Sequence, residues 1–482
     1  MITNHNQSRQ QCRAEKRLEK KRIQRQERIE SEAATQIKRL LNSVLSVDLL
    51  NEIARRTGFI IRQRELSAIA IIAVLMLGCS GSQDISSLEI ICLYLHKWFN
   101  ISMKPQSLQG RLNKKELTVF MKEITTKIMM HESNKIMDKL LKKRAKGNLK
   151  HHLYKRILLQ DSTVISLPES VSRIFKGCGG SASKAAVKCD VIIDQVNHLI
   201  VRMRCVAGRI PDSSLSGDII GYLREGDLVI RDLGYFNLNN FTAMIKKDIK
   251  FISRLTKKVH VYLTKDEDNH LDLIKYLEEL GVSKKNIDIE VYVGKNARIP
   301  MRLIGIKVPP EVVETGRERH KKIRKSEPSN ELHEWNGYTM MLTNIPISEL
   351  NLKQIVKFYK IRWQIELFFK NIKSYLHIDR LTGENKYRII TFIYTKLIIT
   401  WIASLLYAYA QMIVGEGREV SKFKFTKWLQ EVTEWRNAFI TGDFTELLKA
   451  FHRDRNFLCK QSCRIKISWI DDETVEDKQT KK

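Results

Sequence analysis

The chain has 482 residues, 43% of them hydrophobic, and its 84 Lys and Arg against 54 Asp and Glu give a net charge of +30. This length predicts roughly three or four folded units. The charge indicates a polyanionic partner, with nucleic acid first, because the basic residues are spread over the whole chain rather than gathered in one membrane-binding helix.

The sequence shows no signal peptide, no disulfide framework and no run of about 20 apolar residues that would span a membrane. We therefore expect a cytoplasmic protein with reduced thiols and no membrane partner.

The first 150 residues predict a helical region that binds DNA. Residues 8–40 are densely charged, which favours either an extended helix or arm that orders on binding, or a solvated surface helix. Leu66–Leu77 is apolar nearly all round, as at the centre of a helical bundle. A helix ending near Leu95 and a second one over Gln106–Lys127 would suit a DNA groove, although many bundles share that pattern. The basic tract Lys142–Lys150 reads as a linker.

At Arg156 the periodicity changes to that of β-strands. The segment ILLQDSTVISLP places Asp161 in or at the end of a strand, and two further strands follow over Ala185–Gln195 and His198–Gly208. Together they predict a three-stranded meander with a turn between its last two strands. Asp190 and Asp194 also lie there, and we expect them to be surface or turn residues.

A second aspartate follows a short buried-strand pattern. Asp227–Arg231 is that strand, and Asp232 stands at its carboxyl end, before Gly234, which accepts the tight turn that presents a carboxylate. In open mixed sheets the chemistry lies at strand ends. A further strand follows and carries Arg254.

Residues 259–346 are more than the sheet needs to connect its strands, so they predict an insertion. Alternating segments such as IDIEVYV and MRLIGIKV make this insertion β-rich. Between its strands lies a basic run, Arg317–Lys325, which we expect to be a solvated loop or a phosphate clamp.

The segment YKIRWQIELFFKNIK, residues 359–373, predicts an amphipathic helix. At about 100° per residue, Tyr359, Arg362, Glu366 and Lys373 fall within an arc of about 60°. An ordinary pairing of Arg and Glu on a solvated face is the alternative interpretation. A separate apolar arc anchors the helix and contains Phe358, Ile361, Ile365, Phe368, Phe369 and Ile372. The remaining chain is predicted to be helical.

The spacing of Tyr359, Arg362, Glu366 and Lys373 resembles that of bacterial insertion-sequence DDE transposases of the YREK-signature group. Asp161, followed by Ser and Thr, and Asp232, followed two residues later by Gly and an aromatic residue, are similar to that family's first two motif blocks. The resemblance implies a multidomain α/β fold. A ribonuclease-H-like mixed sheet flanked by helices would be interrupted by the β-rich insertion, with helical N-terminal and C-terminal regions.

The implied domains follow the motif blocks in chain order. They are an N-terminal DNA-binding region (1–150), a first part of the catalytic core (151–258), the insertion (259–346), a second core part with the YREK helix (347–414) and a helical C-terminal region (415–482) for pairing subunits.

The resemblance also implies a set of site residues. Asp161, Asp232 and Glu366 would be both catalytic residues and metal ligands, and three carboxylates without His or Cys suit two Mg²⁺ ions, with Mn²⁺ able to substitute. The predicted DNA-binding residues are Tyr359, Arg362, Lys373, Arg254 and Trp335. Trp335 is a candidate for stacking on a flipped base, with a place in the core as the equal alternative.

The implied activity is cut-and-paste transposition, with a hairpin at the element end on the same analogy. The partners would be double-stranded DNA, both terminal inverted repeats and target, and a second subunit in the DNA complex. The place would be the bacterial cytoplasm at the nucleoid. Two alternatives stay open: a ribonuclease-H-like nuclease without strand transfer, and a catalytically silent DNA-binding derivative or repressor.

Overall fold

The computed structural model describes most of the chain. The described residues are 2–62, 66–80, 87–129, 153–179, 183–279, 286–377, 381, 384–414, 418–441 and 443–460. The tract Lys142–Lys150, predicted as a linker, lies outside them.

A single mixed sheet forms the centre of the described structure. Its strands are β1 (Arg156–Leu167), β2 (Ala185–Asp194), β3 (Leu199–Ala207), β4 (Asp227–Arg231), β5 (Lys250–Arg254), β6 (Val261–Tyr262), β7 (Asn286–Val293), β8 (Ile299–Lys307) and β9 (Tyr338–Thr343). The nine strands lie in the order β3-β2-β1-β4-β5-β9-β8-β7-β6. The first three form the predicted antiparallel meander, and β4 and β5 continue parallel to β1. This is the mixed sheet that the ribonuclease-H-like prediction requires.

Alternate residues of the central strands face two different cores. Leu159 and Ile230 point into a large core that the N-terminal and C-terminal helices share. Leu158 and Val229 point into a second core on the opposite face. All five residues of β4 are buried, as expected for a parallel strand covered on both faces.

The N-terminal helices are α1 (Ile2–Leu45), α2 (Val47–Arg56), α3 (Ala68–Ser80), α4 (Leu88–Phe99), α5 (Pro105–Leu112) and α6 (Lys115–Met129). The densely charged segment is helical, and α1 buries Ile37 and Leu41 near its end. α3 is the predicted apolar centre of the bundle. The single helix predicted over Gln106–Lys127 is wrong, because α5 ends at Leu112 with Asn113 as its C-cap residue, and α6 starts at Lys115.

The insertion extends the same sheet. β9 pairs antiparallel with β5, with Ser253 opposite Leu342, and β8, β7 and β6 follow outward. The helices between the strands are α7 (Asp212–Leu215), α8 (Leu238–Lys246), α9 (Leu273–Glu279), α10 (Pro310–Arg324) and α11 (Asn330–Asn336). The loop predicted for Arg317–Lys325 is wrong: Pro310 opens a helix there, and Arg317 and Lys321 both bond to Glu327.

The helices after the insertion are α12 (Leu352–Lys360), α13 (Trp363–Leu376), α14 (Lys386–Ile413), α15 (Lys422–Glu431), α16 (Thr433–Thr441) and α17 (Thr445–Leu458). In the described part of the chain, α14 is the one helix whose length and composition would allow it to cross a membrane, and 78% of its apolar window is buried inside the protein. It packs against α3, α6 and β3, which identifies it as a core helix.

Candidate active site

Asp161 and Asp232 lie side by side because of the strand register. β1 and β4 are parallel neighbours, and their last paired residues are Gln160 and Arg231. Asp161 follows Gln160 within β1, and Asp232 follows Arg231 in the turn after β4. Both carboxylates therefore stand at the same level, at the carboxyl end of β4.

Glu366 reaches this place from the first turn of α13. The Arg362 guanidinium donates to Glu366 Oε1 at 2.6 Å. The same guanidinium lies 3.8 Å from Asp161 Oδ2 and 3.9 Å from Asp232 Oδ2. One cation thus contacts all three carboxylates, which brings together the residues that the three motif blocks predict.

The helix that carries these residues is interrupted. A single helix was predicted from Tyr359 to Lys373, but α12 ends at Lys360 and α13 begins at Trp363. Between them the backbone tightens: Arg362 N–H donates to Tyr359 O at 3.0 Å and Ile365 N–H to Arg362 O at 3.1 Å. Such i→i+3 bonds place side chains three residues apart on the same side.

Tyr359 remains on the side of the carboxylates because of this winding. Its ring centroid lies 5.9 Å from the Arg362 guanidinium, and its hydroxyl donates to Asp232 Oδ1 at 3.4 Å. Burial, and then the negative charge of Asp232, raise the pKa of the Tyr359 hydroxyl, while Arg362 and Arg254 oppose the shift. Arg254, at the end of β5, stands level with Asp232, because Ser253 pairs with Arg231 in the parallel neighbour β4.

The Asp161 carboxylate is short of compensating charge. Burial raises its pKa to about 6, the Ser162 N–H and Arg362 lower it, and repulsion from Asp232 and Asp212 adds to the rise. Ser162 N–H donates to Asp161 Oδ1 at 2.8 Å.

The donor set fits hard divalent cations, which prefer carboxylate oxygens. Within the described residues no three His, Cys, Asp or Glu side chains are grouped to hold one ion as they stand. In this arrangement the Arg362 guanidinium is the cation that the three carboxylates contact.

The apolar face of the YREK segment is confirmed. Ile365, Phe369 and Ile372 are buried in the large core, and Phe358, Ile361 and Phe368 pack against it. The segment is thus anchored on one side and presents its polar residues on the other.

Two predicted DNA-binding residues lie away from the carboxylates along the chain. Lys373 is half-buried and follows Glu366 by seven residues, about two helical turns along α13. Trp335 lies on α11, is half-buried and packs against the second core. Part of its ring therefore serves core packing, which is the alternative to stacking on a base.

The prediction that Asp190 and Asp194 are surface or turn residues is wrong for Asp190. Its side chain is fully buried; it accepts hydrogen bonds from Tyr235 Oη at 2.7 Å and from Gln160 Nε2 at 3.3 Å. Asp194 is the last residue of β2; it accepts from Val196 N–H of the turn that follows, and it too is buried. The hydrogen-bond donors to Asp190 lie on β1 and in the turn after β4. The residues next to Asp190 in the sequence do not indicate these donors.

A fourth acidic residue near the site was missed by the sequence reading. Asp212 opens α7, and its Oδ1 accepts from Ser162 Oγ at 2.8 Å and from Lys188 Nζ at 2.8 Å. A Pro-Asp pair before Ser is an ordinary helix start, so no local pattern indicated that it lies beside Asp161.

The fold and the convergent carboxylates define the class of protein, a DDE transposase. The family model described as "Transposase DDE domain" matches residues 154–402, just over half of the chain, and the chain therefore belongs to that family. The matched range begins before β1 and ends within α14, so it includes all three motif blocks.

Similar proteins point the same way. The chain is 28% identical to the transposase for insertion sequence element IS231C of Bacillus thuringiensis subsp. berliner over 410 residues, 80% of this chain and 83% of that protein. It is 24% identical to the transposase for insertion sequence element IS1151 of Clostridium perfringens, over 83% of this chain and 86% of that protein. The predicted bacterial insertion-sequence DDE transposase is thereby confirmed.

A solved structure is also similar. The cryo-EM structure of a piggyBac transposase synaptic complex with hairpin DNA matches with a TM-score of 0.45 and 10% identity, over 89% of this chain and 83% of that chain. That likeness is too distant to support an argument about this chain.

Proposed function

We propose that this transposase moves its element by cut-and-paste transposition, with Asp161, Asp232 and Glu366 as its catalytic residues. It would hydrolyse a phosphodiester at each element end and join the freed 3′ hydroxyl to target DNA. The observation that carries this proposal is the contact of the single Arg362 guanidinium with all three carboxylates.

The three carboxylates would hold two Mg²⁺ ions, or Mn²⁺ in their place. Bound there, divalent ions activate the attacking oxygen and neutralise charge on the leaving oxygen. Asp161 would contribute to both ions, with Asp232 and Glu366 each contributing to one.

The cationic and aromatic residues beside the carboxylates would hold the DNA. Arg362 has a planar fork of donors that fits a phosphate as well as a carboxylate, so a DNA phosphate would draw it away from the acidic groups. Tyr359 and Arg254 border the same place. Lys373 would contact a phosphate farther along α13, and the exposed part of Trp335 would contact a base.

The partners follow from this role. The DNA substrates are the terminal inverted repeats and the target duplex, and the net charge of +30 supports binding to such polyanions. We propose two subunits in the DNA complex, a hairpin intermediate at the element end, and activity in the bacterial cytoplasm at the nucleoid.

Excision in vitro tests the proposal. The purified full chain is incubated with Mg²⁺ and a supercoiled plasmid that carries the element's two ends, beside Asp161→Asn and Glu366→Gln. Asp248→Asn is the matched control, since that carboxylate is 79% exposed and pairs with Lys250. We expect excised and joined products from the wild type and the control, and none from the two site variants.

Other outcomes would replace the proposal. Cleavage without joined products would indicate a nuclease, and DNA binding without cleavage would indicate a silent derivative. Products from Glu366→Gln at the wild-type rate would contradict the assigned site. A denaturing gel shows whether the excised ends are closed as hairpins.

A further inference from the structure

Asp212 connects the two strands that carry the catalytic aspartates. Its carboxylate accepts the hydroxyl of Ser162, the residue that follows Asp161, at 2.8 Å. The backbone N–H of this same Ser162 donates to Asp161 Oδ1 at 2.8 Å. The Ser162 hydroxyl is thus bonded to Asp212, and the Ser162 backbone N–H is bonded to the first catalytic carboxylate, that of Asp161.

The other oxygen of Asp212 faces the turn that follows Asp232. A Cβ atom placed on Gly234 would lie 3.1 Å from Asp212 Oδ2 and 3.4 Å from the Asp212 Cβ. This approach is closer than nearly all real Cβ contacts, so glycine at 234 lets the turn rest against the Asp212 side chain. Any movement of Asp212 would change the support of this turn.

Lys188 fixes Asp212 to the sheet. Its ammonium donates to Asp212 Oδ1 at 2.8 Å and to Ile210 O at 2.6 Å, and the Lys188 side chain is 9% exposed. Lys188 is part of β2 and lies opposite Val164 of β1. A mostly buried ion pair of this kind is costly to break from one side, because the Lys188 ammonium would then keep only the Ile210 carbonyl as a partner.

We propose that Asp212 is a positioning residue that sets the distance between the Asp161 and Asp232 carboxylates. It acts through Ser162 on one aspartate and through the Gly234 turn on the other, with Lys188 as its fixed anchor. The proposal rests on the assignment of Asp161 and Asp232 as metal ligands. Mg²⁺ demands near-ideal octahedral geometry, so a small change in their spacing would weaken metal binding.

Metal binding by the full chain tests this directly. Mn²⁺ binding is titrated by electron paramagnetic resonance for the wild type, Asp212→Ala, Asp212→Asn and Ser162→Ala. The control is Asp218→Asn, because Asp218 has a similar exposure of 30% but pairs with Arg202 at 3.1 Å. Thermal unfolding is measured in parallel for every variant.

We expect Asp212→Ala to weaken Mn²⁺ binding by about 10- to 100-fold, the usual range for a residue that orients metal ligands. Asp212→Asn should lose less, since its amide oxygen still accepts from Ser162. The double variant Asp212→Ala/Ser162→Ala should be no worse than the worse single variant, because the Ser162 hydroxyl contributes through its bond to Asp212, which Asp212→Ala already removes. In excision assays, Mn²⁺ should restore more of the Asp212→Ala rate than Mg²⁺ does.

Three results would overturn the proposal. The first is a wild-type Mn²⁺ affinity in Asp212→Ala. The second is an equal loss of Mn²⁺ affinity in Asp212→Ala and Asp218→Asn. Independent, additive losses in the double variant are the third. If Asp212→Ala does not fold, Ser162→Ala and Asp212→Asn decide the same question. A wild type that binds Mn²⁺ but excises nothing would refute the proposed function while the metal comparison still tests Asp212.

Discussion

Asp161 and Asp190 are close neighbours on adjacent strands, yet their surroundings differ. Asp190 is fully buried, and it is bonded to Tyr235 and Gln160 and paired with Arg202 at 3.4 Å. Asp161 has a side chain 22% exposed and faces Arg362 at 3.8 Å. Burial raises the pKa of both carboxyl groups, so desolvation alone does not tell them apart.

What separates the two aspartates is where their partners come from. The partners of Asp190 lie on the neighbouring strands β1 and β3 and in the turn after β4. The cationic partner of Asp161 is a side chain at a helix break, at the carboxyl end of β4. A carboxylate held in this second way is available to an ion or a substrate.

The largest effect is expected at Asp161. Asp161→Asn should lower the excision rate by at least about 1,000-fold, because the ions it would help to hold supply several kcal/mol of transition-state stabilisation. Its melting temperature should stay at or above that of the wild type, since a desolvated charge is removed. Excision assays and thermal unfolding measure the two quantities, and a large loss of stability would make Asp161 resemble Asp190.

Asp190 should give the opposite result. Asp190→Ala is expected to lower the free energy of unfolding by about 1–3 kcal/mol, because the buried Tyr235 hydroxyl loses its acceptor and Arg202 keeps only its pairing with Asp218. Denaturant titration measures the loss. An unchanged unfolding free energy would remove the structural role assigned here to Asp190.

Arg362, the cationic partner of Asp161, allows the same comparison to be tested by changing the cation. Arg362→Ala should reduce excision by about 10- to 100-fold, the value of one or two charge-assisted hydrogen bonds in the transition state. Arg362→Lys should remain impaired, since an ammonium lacks the planar fork. The control is Lys360→Ala, an exposed cation two residues earlier. Full activity of Arg362→Lys would show that only the charge matters.

Lys373 should show the smallest effect. Lys373→Ala is expected to weaken binding of cleaved ends uniformly across sequences and to lower the salt slope of the affinity by about 1. Lys370→Ala, an exposed lysine on the same helix, is the matched control. Equal behaviour of the two variants over a salt series would remove the specific role of Lys373.

The sequence was sufficient for the features that depend on local pattern. Strand alternation around Asp161, the buried run before Asp232 and the apolar face of the YREK segment each indicate their own elements. The spacing from Tyr359 to Lys373 then identified the polar set. These signals lie within short segments, so neither strand pairing nor packing was needed to read them.

The incorrect predictions have different physical causes. Asp190 and Asp212 owe their roles to partners on other strands, which the residues around them in the sequence do not indicate. The break at Ile361 follows no glycine or proline; the backbone simply changes from i→i+4 to i→i+3 bonding there. The helix at Arg317 was misread because its charges resemble those of a loop.

The pairing of β5 with β9 bears on how such a chain changes during evolution. The insertion leaves the catalytic part at β5 and returns to it on the neighbouring strand, so its entry and exit are one strand apart. The two parts are nevertheless tied together, because Arg302 of β8 donates to Ile345 O at 3.2 Å and to Leu350 O at 2.6 Å, on the path from β9 into α12. A descendant that acquired new DNA contacts in the insertion would therefore have to keep β8 and β9 in place to inherit the path to Glu366 unchanged.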